Sequence, residues 1–196
     1  QMIEQFGADT VRLFILFAAN PTAGMDWSDS AVEANHRVMQ QLQTMPDMLL
    51  GWDKPAHSMD AWMLARLRQR LQQWSDAMDR YDLRRAVECS HYDMVKDINW
   101  YVRRGGGSAH VGRELLDAWT HMIAIATPHL AEDWWAMLGG EGLLAGHVMG
   151  ENTPLSEQDQ ALLDGEALLR DLLEQARKVR SVCLLYTSPS PRDVIQ

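Results

Sequence analysis

Between Leu64 and Tyr81 the apolar residues Leu64, Leu67, Leu71, Trp74, Met78 and Tyr81 recur at steps of 3, 4, 3, 4 and 3. That spacing lays one face of an α-helix on a core, and a strand, with its two-residue alternation, cannot share it. The period predicts a helix with this stripe inward and the intervening arginines on the other face. Most of the chain repeats in the same way, with Gly or Pro between repeats. The predicted fold is therefore all-α: an antiparallel helical bundle packed mainly by Leu, Met and Trp, followed by a C-terminal helix.

The remaining helices follow from their start and stop residues. Asp9 is placed to cap a helix from Thr10 to about Ala19 whose apolar residues run nearly all the way round, so it must be buried or lie at a junction with another domain. Asn20-Pro21 breaks the chain, because proline disfavours helical geometry in the residue before it. Ser28 is an N-cap for a helix towards Leu50, with a kink or end near Pro46. Asp82 caps the next, with Leu83, Ala86, Val87, Met94, Ile98, Tyr101 and Val102 as its stripe, and Gly105-Gly106-Gly107 ends it. Another runs from about Ala109 to Ala126, and Pro128 starts a short one that ends at Gly139-Gly140. No strand pattern of convincing length precedes Glu141. Ser156 with Asp159 has capping-box character and opens a long helix to about Arg180, whose residues Leu162, Leu169, Leu172, Leu173, Ala176 and Val179 must return to the bundle or enter a further domain. Trp62, Trp74, Trp100 and Trp119 fall on or near apolar stripes and read as core. Trp134 and Trp135 point about 100° apart, which leaves one of them partly exposed.

Chemistry is harder to find. No run of about 18 apolar residues exists for a membrane span, and Leu13–Ala19 has neither the length nor the flanks of a signal peptide. Cys89 and Cys183 offer no disulfide framework or metal spacing, which fits a reducing cytoplasm. His36, His57, His91, His110, His121, His129 and His147 are scattered without ligand spacing and read as surface or packing residues. The usual catalytic signatures are absent, and the glycine run follows a helix, so it cannot cradle phosphate in the P-loop manner. Asp93 and Asp97, at i and i+4 with Lys96 between and Arg103/Arg104 beyond, read as ion-pairing groups.

Charge supplies the functional clue. The chain carries a net charge of -9, yet Ala61–Arg113 contains ten Arg/Lys (Arg66, Arg68, Arg70, Arg80, Arg84, Arg85, Lys96, Arg103, Arg104, Arg113) and six Asp/Glu. A local basic face can bind phosphate because salt limits the reach of distant acids to about 8–10 Å. The bland alternative is a salt-laced helix surface.

Four stretches in order resemble one family. Phe6-Gly7-Ala8-Asp9-Thr10-Val11-Arg12-Leu13-Phe14 looks like the segment that follows the Lys-Met-Ser-Lys-Ser loop in class I synthetases for leucine, isoleucine and valine, with Phe6 in place of the commoner Tyr. Phe17-Ala18-Ala19-Asn20-Pro21 with Met25-Asp26-Trp27-Ser28-Asp29 is similar to the leucine branch. Asp97-Ile98-Asn99-Trp100-Tyr101-Val102-Arg103-Arg104 resembles archaeal and eukaryotic-type leucyl-tRNA synthetases. Pro128-His129-Leu130-Ala131-Glu132-Asp133-Trp134-Trp135, with Leu138-Gly139-Gly140-Glu141-Gly142, resembles the end of the same anticodon-binding-type helical domain. The nearest rivals are the isoleucyl and valyl enzymes. A stand-alone helical interaction module using the Leu162–Val179 stripe is a rival of another class, and an enzyme working within the bundle is disfavoured by the lack of an acid/base or metal constellation.

The resemblance implies the end of a catalytic region and a junction helix at 1–27, with Asp9 and Arg12 bracing the junction. It implies an anticodon-binding-type bundle at 28–142, and a linker with the start of a C-terminal region at 143–182. Residues 183–196, Cys183-Leu-Leu-Tyr-Thr-Ser-Pro-Ser-Pro-Arg-Asp193 and the three after them, look like one reading frame of a transposase-type DNA sequencing adapter and are set apart from the fold. The family is cytoplasmic and uses ATP and Mg²⁺ to attach leucine to its tRNA. Those cofactors act on an upstream nucleotide-binding domain, so this stretch should hold no cofactor, metal or catalytic residue and should be inactive alone. Its implied partners are leucine tRNA and the catalytic and C-terminal domains of its own parent, with no membrane. For RNA contact the expected residues are Arg103, Arg104 and Arg113 around the glycine turn, with Arg84 and Arg85 second, because a guanidinium grips phosphate through two parallel hydrogen bonds.

Overall fold

A computed structural model describes residues 2–18, 27–150 and 152–187, with side chains as far as Ser181. The expected break at Asn20-Pro21, the Met25-Asp26 part of the second motif and the side chain of Cys183 lie outside the described residues. Among the described residues every regular element is helical: α1 (Met2–Phe6), α2 (Ala8–Ala18), α3 (Asp29–Gln43), α4 (Met45–Leu50), α5 (Ser58–Asp79), α6 (Leu83–Val87), a π-helical turn (Glu88–Asp93), α7 (Met94–Arg103), α8 (Ala109–Ile123), α9 (Pro128–Met137), a 3-10 turn (Leu144–Gly146) and α10 (Glu157–Thr187). The chain forms two compact units, Gln1–Leu155 and Ser156–Gln196. The expected divisions after residues 27 and 142 fall inside the first unit, where α2 packs on α3, α6 and α9.

α5 is the central helix of the first unit, packed on α6, the π turn, α7 and α8. Its buried residues include Trp62, Met63, Ala65, Leu67, Leu71 and Ala77, a wider face than the predicted stripe. Two features of this helix differ from the expected ones. Tyr81 is 85% exposed and lies past the helix end with a positive φ of 55°, because the helix stops at Asp79 and the chain turns on Arg80–Asp82. The arginines do not face solvent as a group. Arg66 and Arg70 are largely buried beneath the π turn, where Asp97 and Asp93 receive them.

The Asp82 cap forms, its carboxylate accepting from the Arg85 N–H at 3.1 Å. The helix it opens does not keep one phase, however. The π turn inserts extra backbone at Glu88–Asp93, which rotates the following residues and leaves Val102, expected on the stripe, 41% exposed. A buried polar cluster fills the turn. The Ser90 hydroxyl reaches the Ala86 carbonyl and His91 Nδ1, His91 Nε2 meets Thr127 Oγ1 at 3.1 Å, and Trp119 Nε1 donates to the Ser90 carbonyl at 2.6 Å. Both ring nitrogens of His91 thus have neutral partners, and burial pushes its pKa down to about 3, so the ring is uncharged at neutral pH. Ser28 caps α3 as expected, and Thr44-Met45-Pro46 divides it from α4.

Trp62, Trp119 and Trp134 are buried core, with Trp119 and Trp134 edge to face at 5.0 Å. Trp135 is the partly exposed partner of Trp134, set against the His121 and His147 rings. In the second unit Ser156 and Asp159 complete a reciprocal capping box at the start of α10. Along that helix Leu168, Leu172, Leu173 and Val179 are exposed.

Candidate nucleic-acid interface

The site of interest is the corner where α7 ends and α8 begins. Gly105, Gly106 and Gly107 turn the chain there with φ of 98° at Gly105 and 137° at Gly107, values an L side chain rarely adopts. Gly106 must also be small, because a Cβ on it would lie 2.2 Å from the Tyr101 ring. The turn exposes helix-end carbonyls, and Lys54 Nζ donates to two of them, Gly105 at 3.2 Å and Gly106 at 3.0 Å. The Lys54 N–H also donates to the Gly107 carbonyl at 3.1 Å.

Beneath the corner sits Asp60, 6% exposed, in the first turn of α5. One carboxylate oxygen accepts from the Tyr101 hydroxyl at 2.5 Å. The other accepts from the Ser108 hydroxyl at 2.7 Å and the His57 N–H at 2.8 Å. Burial alone would raise its pKa, but the bonds from Tyr101, the His57 N–H and Ser108 outweigh it and hold the carboxyl below the ordinary range. Burial, then the bond to Asp60, raises the Tyr101 phenol, so both groups keep the protonation states this geometry needs. His110 Nε2 lies 3.8 Å from the same carboxylate. Asp60 thus joins the start of α5, the last turn of α7 and the cap residue of α8. The sequence reading missed it, although His57-x-x-Asp60 has capping-box spacing and His57 does cap the helix through Nδ1.

Three expected arginines surround this corner. Arg103 and Arg104 occupy the exposed end of α7, the Arg103 guanidinium resting 5.9 Å from the Trp100 ring. Arg113 is exposed on α8 in an open groove of about 740 Å³ shared with His110, Trp135 and Gly140. Arg84 and Arg85 belong elsewhere. They stand at the opposite end of the run from α6 to α7, about 28 Å from Arg103 at 1.5 Å per residue. Arg84 lies over the Phe17 ring, and Arg85 is paired with Glu88 at 2.7 Å and Asp93 at 3.6 Å.

The basic segment is therefore not one face. Arg70 Nε and Nη1 bind Asp97 at 2.7 Å and Asp93 at 2.9 Å; burial disfavours its charge, yet Asp97 and Asp93 more than compensate and raise its pKa. Lys96 pairs with Asp93 at 3.0 Å. As expected, the two aspartates orient guanidinium groups, those of Arg70, Arg66 and Arg85. Cys89 is fully buried beside them, its pKa pushed up to about 11 by burial. Among the described residues no group of three His, Cys, Asp or Glu is placed to hold a metal ion, and no helix is long and apolar enough to cross a membrane.

Asp9 and Arg12 tie α2 to α8 and α9, and Asp9 does not cap its own helix. Asp9 lies inside α2 and accepts from the Leu130 N–H at 2.9 Å and from His129 Nδ1 at 2.8 Å, capping α9 from outside. Arg12 donates to the carbonyls of Ile125 at 3.0 Å and Ala126 at 3.3 Å, just past the end of α8. The anion thus meets a helix N-terminus and the cation a helix C-terminus, the arrangement that complements both helix dipoles.

Comparison with known proteins agrees with this architecture. The family profile described as the anticodon-binding domain of tRNA ligase matches residues 60–189. The leucine–tRNA ligase of Methanothrix thermoacetophila is 30% identical over 201 aligned residues, covering 100% of this chain and 20% of the relative. That of Archaeoglobus fulgidus is 30% identical over 185, covering 91% and 19%. The chain thus spans about a fifth of the length of the curated relatives it matches. A crystal structure of a ternary LeuRS–tRNA–LeuAMS complex from Agrobacterium radiobacter K84 superposes with a TM-score of 0.59 at 22% identity, over 83% of this chain and 21% of that one, and so shares the fold. With its helical bundle and its profile match over most of its length, this chain belongs to the family of anticodon-binding domains of tRNA ligases.

Proposed function

We propose that the chain is the tRNA-gripping helical domain of a leucine–tRNA ligase, and that the α7–α8 corner with Arg103, Arg104 and Arg113 is its phosphate-binding surface. The observation that carries the leucine reading is the alignment of leucine–tRNA ligases along the whole chain. The exposed arginines at a rigid helix corner support the RNA surface, since guanidinium groups on fixed backbone position a nucleic acid without reading its sequence. In this reading the parent attaches leucine to its tRNA with ATP and Mg²⁺ bound on its nucleotide-binding domain, in the cytoplasm. This domain contributes binding and orientation and, on its own, no catalysis. Arg84 and Arg85 are secondary contacts at most, because their charge is already shared with Phe17, Glu88 and Asp93.

Binding of the 196-residue chain to leucine tRNA and to an unrelated tRNA, measured across a salt series, tests the reading. We expect micromolar or weaker binding to both, falling steeply with salt, because the contacts are to phosphate. Absence of binding at low salt, from a chain shown by circular dichroism to be folded, would refute it.

A further inference from the structure

We infer that Asp60 is a positioning residue for RNA, acting through Tyr101 and Ser108 to fix the direction in which Arg103, Arg104 and Arg113 are presented. The inference deepens the proposed tRNA-gripping role and rests on it. Three consecutive glycines separate α7 from α8, and no residue loses more conformational freedom on ordering than glycine. The covalent connection alone therefore leaves the angle between the two helices, and with it the spacing of Arg103/Arg104 from Arg113, loosely defined.

The buried carboxylate supplies what the backbone does not. One oxygen of Asp60 holds the Tyr101 hydroxyl in the last turn of α7, the other the Ser108 hydroxyl at the start of α8. The two arms span the glycines from below. The Tyr101 hydroxyl also accepts from the Ser108 N–H at 3.3 Å, and the Tyr101 ring forms the floor on which Gly106 rests. From the side, Lys54 closes the turn through three bonds to the glycine carbonyls. Ser108 is the cap residue of α8, yet its hydroxyl makes no cap bond and turns its one proton to Asp60 at 2.7 Å, with the Pro55 carbonyl a longer second acceptor at 3.1 Å. A helix that forgoes its own side-chain cap to bind a third helix is anchored for orientation. A corner held in its binding geometry before RNA arrives avoids the ordering cost that a loose corner would incur on binding.

The test uses Tyr101→Phe and Ser108→Ala, each of which removes one arm, and Asp60→Asn, which removes the charge. Each folded variant is titrated with leucine tRNA over a salt series beside wild type and an Arg103→Ala/Arg104→Ala control. Amide hydrogen exchange is followed over residues 105–113 without RNA. We expect faster exchange confined to that stretch, binding weaker by about three- to tenfold, and a salt slope lower by about 1, the loss of roughly one phosphate contact. A purely structural role would lower thermal stability and leave the slope intact. Unchanged exchange and unchanged slope in both Tyr101→Phe and Ser108→Ala would overturn the inference, whether or not Asp60→Asn folds. If wild type and the arginine control bind equally, the assignment of the corner as the RNA surface fails, while the exchange data still report on the lock.

Discussion

Replacing Gly112 by alanine sets two effects of opposite sign against each other. Gly112 lies within α8, where alanine is favoured over glycine by about 0.8–1 kcal/mol. On propensity alone the variant should be more stable. At this position, however, α8 passes directly over the end of α4, and a Cβ on Gly112 would stand 2.2 Å from the Leu49 carbonyl oxygen and 3.1 Å from both its carbonyl carbon and the Trp52 ring. An ordinary carbon–oxygen contact is about 3.3–3.6 Å, so the helices would have to part by roughly 1 Å. The obstacle is backbone and cannot swing aside. Overpacking costs about 1–3 kcal/mol, and a backbone obstacle puts this site in the upper part of that range, about 2–3 kcal/mol, which leaves a net loss of about 1–2 kcal/mol after the propensity gain. For a domain of this size that is a fall in Tm of roughly 2–8 °C. Thermal and urea unfolding followed by circular dichroism would read it. Gly165→Ala is the matched control: Gly165 also lies inside a helix but has no atom within 4 Å of its would-be Cβ, so it should gain about 0.5–1 kcal/mol. A Gly112→Ala chain as stable as wild type, or more so, would refute the close approach of α4 and α8.

The cap that Asp9 provides to α9 gives a second prediction. Asp9→Ala leaves the Leu130 N–H buried without its acceptor and should lower stability by about 1–2 kcal/mol in urea titration, and a loss below about 0.3 kcal/mol would contradict the cross-helix cap. His91 gives a pH dependence. Its folded pKa of about 3 lies below the ordinary 6.5, so its contribution is fully present above pH 6.5 and is lost as pH falls from there towards 3. Each unit of pH in that window should remove about 1.4 kcal/mol relative to a His91→Gln chain, and parallel stability curves for the two proteins would show that His91 is not held neutral.

The fold was largely legible in the sequence, for a physical reason: helix starts and stops depend on local residues such as Ser28, Asp82, Pro128 and Ser156, whose caps need no knowledge of the tertiary structure. What depended on tertiary contacts was not legible. The π turn at Glu88–Asp93 has no sequence period of its own, so Val102 was assigned to a face it does not occupy. Asp9 looked like a cap for its own helix because it precedes an apolar run, whereas its acceptors point to α9, some 120 residues on. The basic segment read as one face because charge counting cannot see that Asp93 and Asp97 lie directly over Arg70. Only once those pairs are removed does the candidate site contract to the corner at Gly105–Gly107. Asp60 escaped notice because an isolated acid at the start of a helix is unremarkable until Tyr101 and Ser108 are seen to converge on it.

In the proposed function the α7–α8 corner, and not the α6 end of the same helical run, grips tRNA phosphates. The most direct test compares the salt dependence of leucine-tRNA binding for Arg103→Ala/Arg104→Ala with that for Arg84→Ala/Arg85→Ala. The first pair should lower the slope of log K against log salt by about 2, at roughly 0.9 per phosphate contact, and the second should change it by less than about 1. Equal slopes for wild type and the Arg103/Arg104 variant, with the loss falling on Arg84/Arg85 instead, would contradict it.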